Sequence, residues 1–339
     1  MQNIRSLNKK ELIEYIQDLG EPKYRADQLF NWFHNRCIIS ADEMSNIPKS
    51  LKSKIGELKF PRIEEVQQSK DGTRKYLFAL SDGAYVESVL MKYKYGNSVC
   101  ISSQVGCRMG CKFCASTLDG LDRNLEPAEM LDQIYMISRD IDERVSHVVV
   151  MGTGEPMDNF DNLIRFLEMI TDPEGYNLSR RNITVSTCGI ADRIRQFADQ
   201  NTGVTLAVSL HAPFDELRRE IMPITNRYPI EEVIDAARYF FDVTGRRVTL
   251  EYALAKGVND SDECARGLAD ICMRLSAHVN LIPVNPVTER GYDPTSPSGV
   301  LGFKNKLEKK GINVTIRREL GQDIDGACGQ LRRRHIETD

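Results

Sequence analysis

The stretch Val105-Gly106-Cys107-Arg108-Met109-Gly110-Cys111-Lys112-Phe113-Cys114 places three cysteines at i, i+4 and i+7. Gly106 and Gly110 free the backbone to fold tightly around whatever the thiols hold. Thiolates at this spacing can converge on one soft metal centre, and an iron–sulfur cube is held by such thiolates. A closed structural zinc site would draw a fourth ligand from nearby. No Cys or His follows at short range, so one metal corner is left open for a ligand. A zinc knuckle or a set of buried free thiols is the competing reading.

Around this loop lies a chain of 339 residues, long enough for one main domain and a smaller one. Hydrophobic content of 41% and charged content of 28% suit a soluble globular protein. The net charge of −4 gives no global nucleic-acid signature, so RNA binding would need a local basic face. The first residues mix Arg5, Lys9, Lys10, Glu11 and Glu14 with apolar positions, unlike a signal peptide, and no segment approaches a membrane span. Nine cysteines in that context imply a reducing cytoplasm and metal or catalytic use.

Upstream of the loop, Asn8 is a good N-cap for a helix carrying Leu12, Ile13, Ile16 and Leu19, which Gly20 stops. A second helix begins near Pro22, with Tyr24, Leu29, Phe30 and Phe33 on one face; a third runs from Pro48 to about Leu58. Residues 1–58 therefore read as a small helical domain. Its Lys23, Arg25, Arg36, Lys49, Lys52 and Lys54 form either a phosphate-binding face or an ordinary solvated surface. Residues 59–98 read as a β meander: period-two runs at 62–67, 74–80 and 85–92, separated by Lys70-Asp71-Gly72 and Ser81-Asp82-Gly83. Glu87, inside the third strand, is either on the solvent face, as alternation with Val86 suggests, or buried for a reason.

Downstream, residues 99–339 alternate strands and helices. Strands are expected at 99–103, 147–152, 183–187, 205–210, 248–252, 279–283 and 313–317, with amphipathic segments at 127–141, 159–170, 191–200, 230–243 and 262–275. Repeated βα units argue for a parallel sheet closed into a barrel or partial barrel, whose functional residues sit beyond the strand C-termini. The strands do end in the cysteine loop, in Met151-Gly152-Thr153-Gly154-Glu155-Pro156, in Ser186-Thr187, in Ser209-Leu210-His211 and in Pro283-Val284-Asn285-Pro286. Each motif alone is weak; their joint placement argues for a cofactor pocket.

Near the C-terminus, glycines at 321, 326 and 329 favour a mobile loop over a helix and leave Cys328 accessible, as a reactive or a spare thiol. Arg332, Arg333 and Arg334 are compatible with phosphate contacts. Cys37, Cys188, Cys264 and Cys272 read as structural.

The cysteine spacing is that of the radical S-adenosylmethionine (SAM) enzymes. With the segment 151–156, Ser209-Leu210-His211 and the stretch 323–331, nearly the whole chain resembles the radical-SAM RNA adenine methyltransferases of the RlmN family. The resemblance implies an α/β fold, a partial (β/α)6 TIM-like barrel with a helical N-terminal RNA-binding domain and a β extension. It implies methylation of carbon 2 of an adenosine in 23S rRNA and, in some members, in the tRNA anticodon loop. It implies a 4Fe–4S cluster on Cys107, Cys111 and Cys114, and two SAM molecules per turnover. One SAM methylates Cys328; the other, on the open iron, yields the radical that activates this methyl for addition to adenine. Cys100 matches the cysteine that resolves the protein–RNA adduct through a transient disulfide with Cys328, and Glu87 the proton acceptor. Gly154, Glu155, Ser186, Ser209, Leu210, His211 and Asn285 match SAM-contacting positions. A flavodoxin- or ferredoxin-type electron donor and a cytoplasmic monomer complete the expectation. Gly326 stands where the family usually has alanine. Pro156 separates the chain from the sister family that methylates carbon 8, which tends to have alanine there.

Two other readings make different predictions. A radical-SAM enzyme acting on a small molecule would not need Cys328, and a non-catalytic metal-dependent RNA-binding protein would carry zinc without iron or sulfide.

Overall fold

The computed structural model describes residues 3–284, 291–321, 323–324 and 329–338. The N-terminal segment forms α1 (Lys9–Asp18), α2 (Tyr24–Phe30), which widens into a π turn at Asn31–Asn35, and α3 (Lys49–Ile55). Asn8 caps α1 as expected: its side chain accepts from Glu11 N, and the Glu11 carboxylate accepts from Asn8 N, both at 3.0 Å. Leu12, Ile16, Leu29, Phe30, Phe33 and Leu51 close a core of their own. Tyr24, expected on that apolar face, is instead 51% exposed. Two of the lysines read as either phosphate-binding or solvated are engaged internally, Lys52 on the Ala41 carbonyl and Lys54 on Glu21.

Strands β1 (Arg62–Gln68), β2 (Arg74–Ala79), β3 (Tyr85–Tyr93) and β4 (Gly96–Ile101) pair antiparallel in sequence order, with the turns at the expected glycines. The meander runs into the main sheet: β4 pairs antiparallel with β3 and parallel with β7, the next barrel strand (Val145–Val150). A short hairpin follows, β5 (Gln104–Gly106) and β6 (Leu121–Asn124), which sequence periodicity did not reveal; it grips both ends of the cysteine loop.

The βα units then run α4 (Pro127–Asp140), β7 (Val145–Val150), α5 (Phe160–Ile170), β8 (Ile183–Thr187), α6 (Ala191–Asp199) and β9 (Thr205–Ser209). They continue with α7 (Asp215–Ile221), α8 (Ile230–Thr244), β10 (Thr249–Leu254), α9 (Asp262–Leu275), β11 (His278–Pro283), α10 (Pro297–Glu308), β12 (Val314–Ile316) and α11 (Gln330–Thr338). One sheet runs β1-β2-β3-β4-β7-β8-β9-β10-β11-β12, and every pairing from β4 onward is parallel. That is the partial barrel expected, with β12 as an added edge. Buried valine, leucine and isoleucine of the parallel strands pack against the helices in one continuous core.

The periodic pattern missed α7, α10 and α11. The first is short and highly charged, the second holds Gly299 and Gly302, and the third starts directly after Gly329.

Candidate active site

The β5–β6 hairpin closes with Cys107 N donating to the Gly120 carbonyl at 2.7 Å. A Cβ on Gly106 would collide with that carbonyl, and its φ of 75° is left-handed, so only glycine fits. Lys112 N donates to Ile221 O at 2.8 Å, tying the loop to the end of α7. Thr117 Oγ1 donates to the carbonyls of Cys111 and Cys114, at 3.0 and 3.1 Å.

Cys107, Cys111 and Cys114 all line one cavity of about 710 Å3 at the C-terminal end of the parallel strands. Burial pushes the Cys107 thiol up to about 12, and Glu155 and Cys114 add to it; burial raises Cys111 as well, and the other two loop thiols reinforce it. The three therefore lie close enough to feel one another's charge, and a bound cation would deprotonate them outright. Among the described residues no three His, Cys, Asp or Glu side chains converge on a single-ion site. A cube gives each thiolate its own iron, so it accommodates a wider spread than one ion does.

The loop after β7 forms the next wall. Gly154 has φ 109°, and a Cβ there would lie 2.6 Å from Gln104 Cβ and 2.8 Å from Gln104 N. A Cβ on Gly152 would meet the Ile101 carbonyl oxygen at 2.7 Å. Gly152 lets this loop press against the end of β4, and Gly154 against the start of β5. Glu155 is buried, and its carboxylate accepts Cys188 N at 2.7 Å and Met157 N at 3.0 Å. Burial raises its pKa, and those backbone donors oppose the rise. Its carboxylate thus braces the β7 loop against the end of β8.

Ser186 and Ser209 line the cavity from β8 and β9. His211, at φ 57°, is buried beside them, and its Nδ1 accepts Ala253 N–H at 3.0 Å. Burial, reinforced by Arg218, lowers its pKa to about 3, so His211 is a neutral positioning group with its proton on Nε2. The Leu210 side chain is fully buried in the core and is not among those lining the cavity. Asn285 lies outside the described residues.

Cys100 projects from β4 into the same cavity and is buried. Glu87 is 3% exposed, so of the two readings of this carboxylate the buried one holds. Lys75 Nζ, itself fully buried, sits 3.1 Å from Glu87 Oε2. Gly329 N donates to Oε2 and Arg332 N to Oε1, both at 2.6 Å. Glu87 is thus the anionic cap of α11. On the preceding side, Gly321 N donates to Asp71 Oδ2 at 2.9 Å and Lys70 N to Asp323 Oδ2 at 3.1 Å. Cys328 lies outside the described residues, but the chain on either side of it is fastened to the meander. The arginines expected to meet phosphate are partly spent within the chain, Arg332 facing Asp119 and Arg334 pairing with Glu65 at 2.8 Å.

Three further groups escaped sequence reading. Lys75 stands in an apolar strand, the one signal that could have flagged it. Glu251, in β10, lines the cavity and accepts from Asn280 Nδ2 at 2.8 Å. Cys188, read as structural, lines the cavity too.

Comparison with known proteins agrees with this geometry. Residues 2–60 match the family profile of the ribosomal RNA large subunit methyltransferase N-terminal domain, and residues 101–265 that of the radical SAM superfamily. The chain is 59% identical to a Lachnospira eligens protein described as a probable dual-specificity RNA methyltransferase RlmN, over 99% of this chain and 97% of the relative. A Desulforamulus reducens protein of the same description is 52% identical, over 98% and 96%. The crystal structure of a radical SAM methyltransferase from Sphaerobacter thermophilus superposes with a TM-score of 0.93 at 40% identity, covering 97% of this chain and 99% of that one. The superfamily's cofactors are a 4Fe–4S cluster and SAM, and the three-thiol loop at the mouth of a glycine-walled cavity fits them. The chain belongs to the RlmN family of radical SAM RNA methyltransferases.

Proposed function

We propose that the protein methylates carbon 2 of an adenosine in 23S rRNA, and in the tRNA anticodon loop, through a methyl group carried on Cys328. The observation that carries this reading is the anchoring of both flanks of Cys328 to the meander, with Gly329 packed against Ser116, two residues beyond Cys114. A Cβ on Gly329 would lie 2.9 Å from Ser116 N, so the chain adjoining Cys328 runs against the loop of the three thiols.

Carbon 2 of adenine is an electrophilic amidine carbon and does not attack a methyl sulfonium directly. When bound, cluster and SAM supply a carbon-centred radical and a methyl group. Cys107, Cys111 and Cys114 would hold the cluster, leaving one iron for the SAM amino and carboxylate groups. Gly154, Glu155, Ser186, Ser209 and His211 line the space for SAM, and the backbone hydrogen bonds of Glu155 and His211 also hold those walls in place. The Cys328 thiolate takes the methyl by displacement and presents its carbon to the adenine ring. Glu87 then accepts the ring proton on Oε1, which binds Arg332 N and keeps a second lone pair, whereas Oε2 already faces Gly329 N and Lys75 Nζ. Cys100 attacks the Cys328 sulfur, and the S–S bond forms as the S–CH2 bond breaks. The electron pair stays on the exocyclic carbon, which takes up a proton to become the methyl group. The single electron left by the radical addition would return to the cluster when bound. The proposal assigns residues 1–58 to RNA binding, 59–98 to the extension and 99–339 to the barrel. It also takes the working unit as a monomer fed electrons by a flavodoxin or ferredoxin. No helix is long and apolar enough to cross a membrane among the described residues.

Anaerobic incubation of the purified protein with SAM, dithionite and an rRNA fragment is expected to yield 2-methyladenosine by mass spectrometry. Cys328→Ala should abolish it and Cys100→Ala should accumulate a covalent protein–RNA adduct. Production of 8-methyladenosine, or turnover by Cys328→Ala, overturns the reading.

A further inference from the structure

Arg218, on α7, is fully buried, yet its hydrogen bonds all run to uncharged acceptors. Nε donates to Leu210 O at 3.1 Å, Nη1 to Thr225 Oγ1 at 3.0 Å, and Nη2 to Cys188 O at 2.6 Å and Ser209 O at 3.2 Å. Burying a guanidinium costs several kcal/mol unless an anion offsets it. Burial lowers its pKa, and the groups that oppose this are, in order, Cys188, Cys111 and Asp215. The Cys188 thiol is held neutral by burial, so it brings no charge. Asp215, three residues earlier on the same helix, makes the smallest contribution and accepts Ile230 N–H at 2.8 Å; Cys111 would become anionic with a cluster in place.

The scaffold brings this cation to the cysteine loop. Ile221, the last residue of α7, accepts Lys112 N at 2.8 Å, and a Cβ on Gly110 would rest 3.5 Å from Pro223 just beyond it. Cys111, Cys188, Ile221 and Met222 form one buried apolar cluster, whose low polarity strengthens any charge beside it. Neutral side chains could brace the three carbonyls without the desolvation cost. Arg218 is suited to a site that is itself negative.

We infer that Arg218 is the buried counter-charge of the iron–sulfur cluster and raises its reduction potential. The inference rests on the cluster being held by Cys107, Cys111 and Cys114. Three thiolates give a 4Fe–4S(2+) core a net charge of −1, and uptake of one electron makes it −2. Arg218 stabilises the second state more than the first, so it favours reduction. Cluster potentials respond to net charge and burial in this way.

The test is an EPR-monitored redox titration with dithionite of reconstituted wild type, Arg218→Gln and Arg218→Lys, with iron and sulfide assayed and folding checked by circular dichroism. The Gln variant is expected to be harder to reduce, by about tenfold in the reduction equilibrium, or about 59 mV for one electron. The Lys variant, which keeps the charge, should stay near wild type. A wild-type potential in the Gln variant overturns the inference, as does a Lys variant shifted as far as Gln. Where Gln cannot hold a cluster, retention by Lys supports the counter-charge role and loss in both variants overturns it. A wild type that takes up no iron or sulfide would overturn the cluster assignment itself, a result distinct from an unshifted potential.

Discussion

The carboxylate of Glu87 accepts the backbone N–H of Gly329 at 2.6 Å, joining positions separated by 242 residues. Its other oxygen caps α11 through Arg332 N, and Lys75 balances its charge from the neighbouring strand. A carboxylate in the middle of the meander thereby fixes where the C-terminal helix begins, two residues after Cys328.

Glu87→Gln leaves the buried Lys75 ammonium facing a neutral amide and swaps one acceptor of the α11 cap for a donor. Removing one member of a buried pair costs about 3–5 kcal/mol. Urea unfolding should show that loss, and trypsin should cut faster at Arg332 to Arg334. The double variant Lys75→Met/Glu87→Gln should recover part of the stability but not the protection from trypsin. Unchanged cleavage in Glu87→Gln would refute the latch.

Gly154→Ala puts a Cβ 2.6 Å from Gln104 Cβ at a left-handed φ of 109°. The strain is about 1–3 kcal/mol, and relief by loop movement would deform the cavity wall. Calorimetry should show weakened SAM binding together with a lower melting temperature. Gly302→Ala is the control, since nothing lies within 4 Å of a Cβ in that helix; it should gain about 0.5–1 kcal/mol.

Arg5 and Asp132 form a buried ion pair between the N-terminal segment and α4. Arg5 also stacks over Phe60, 3.9 Å from the ring centre, and donates to the Lys59 carbonyl. Asp132→Ala should cost about 3–5 kcal/mol by stranding that guanidinium. Limited proteolysis is expected to release the helices before the barrel; simultaneous cleavage would show that the pair does not hold them.

His34, in the π turn, and His211 are both fully buried, and burial lowers each from 6.5 to about 3. Unfolding exposes them to their ordinary pKa, so the unfolded chain binds more protons between those values. Their contribution is present above 6.5 and is lost as pH falls toward about 3, at up to about 1.4 kcal/mol per pH unit for each histidine. Urea midpoints measured from about pH 7 to about pH 4 should fall accordingly. His34→Phe should flatten the slope by about one proton; an unaltered slope would show that His34 does not titrate on unfolding.

The barrel was legible because its signals are local. Val, Ile and Leu runs ending in glycine or serine mark β7, β8 and β9, and the intervening amphipathic segments fall within a few residues of the observed helices. Asn8 and Gly20 mark a helix by cap chemistry alone. The placement of Leu210 has a local reason as well. In Ser209-Leu210-His211 the strand end turns, sending Ser209 toward the cavity and Leu210 into the core. α11 escaped because its cap is Glu87, a residue no local pattern can supply.

By itself the sequence determined that three thiols share one loop, that the loop opens a series of βα units, and that Cys100 and Cys328 stand apart from those three. Short-range spacing and periodicity carry that information. Tertiary structure decided what Glu87, Lys75 and Arg218 do. Period-two alternation tells inside from outside only when one face of a strand meets water. β3 is covered on both faces, Ser88 bonding Gln133 of α4 and Glu87 capping α11, so alternation there carries no such signal. The partners of a buried charge come from whichever elements pack around it, and those contacts exist only once the chain has folded.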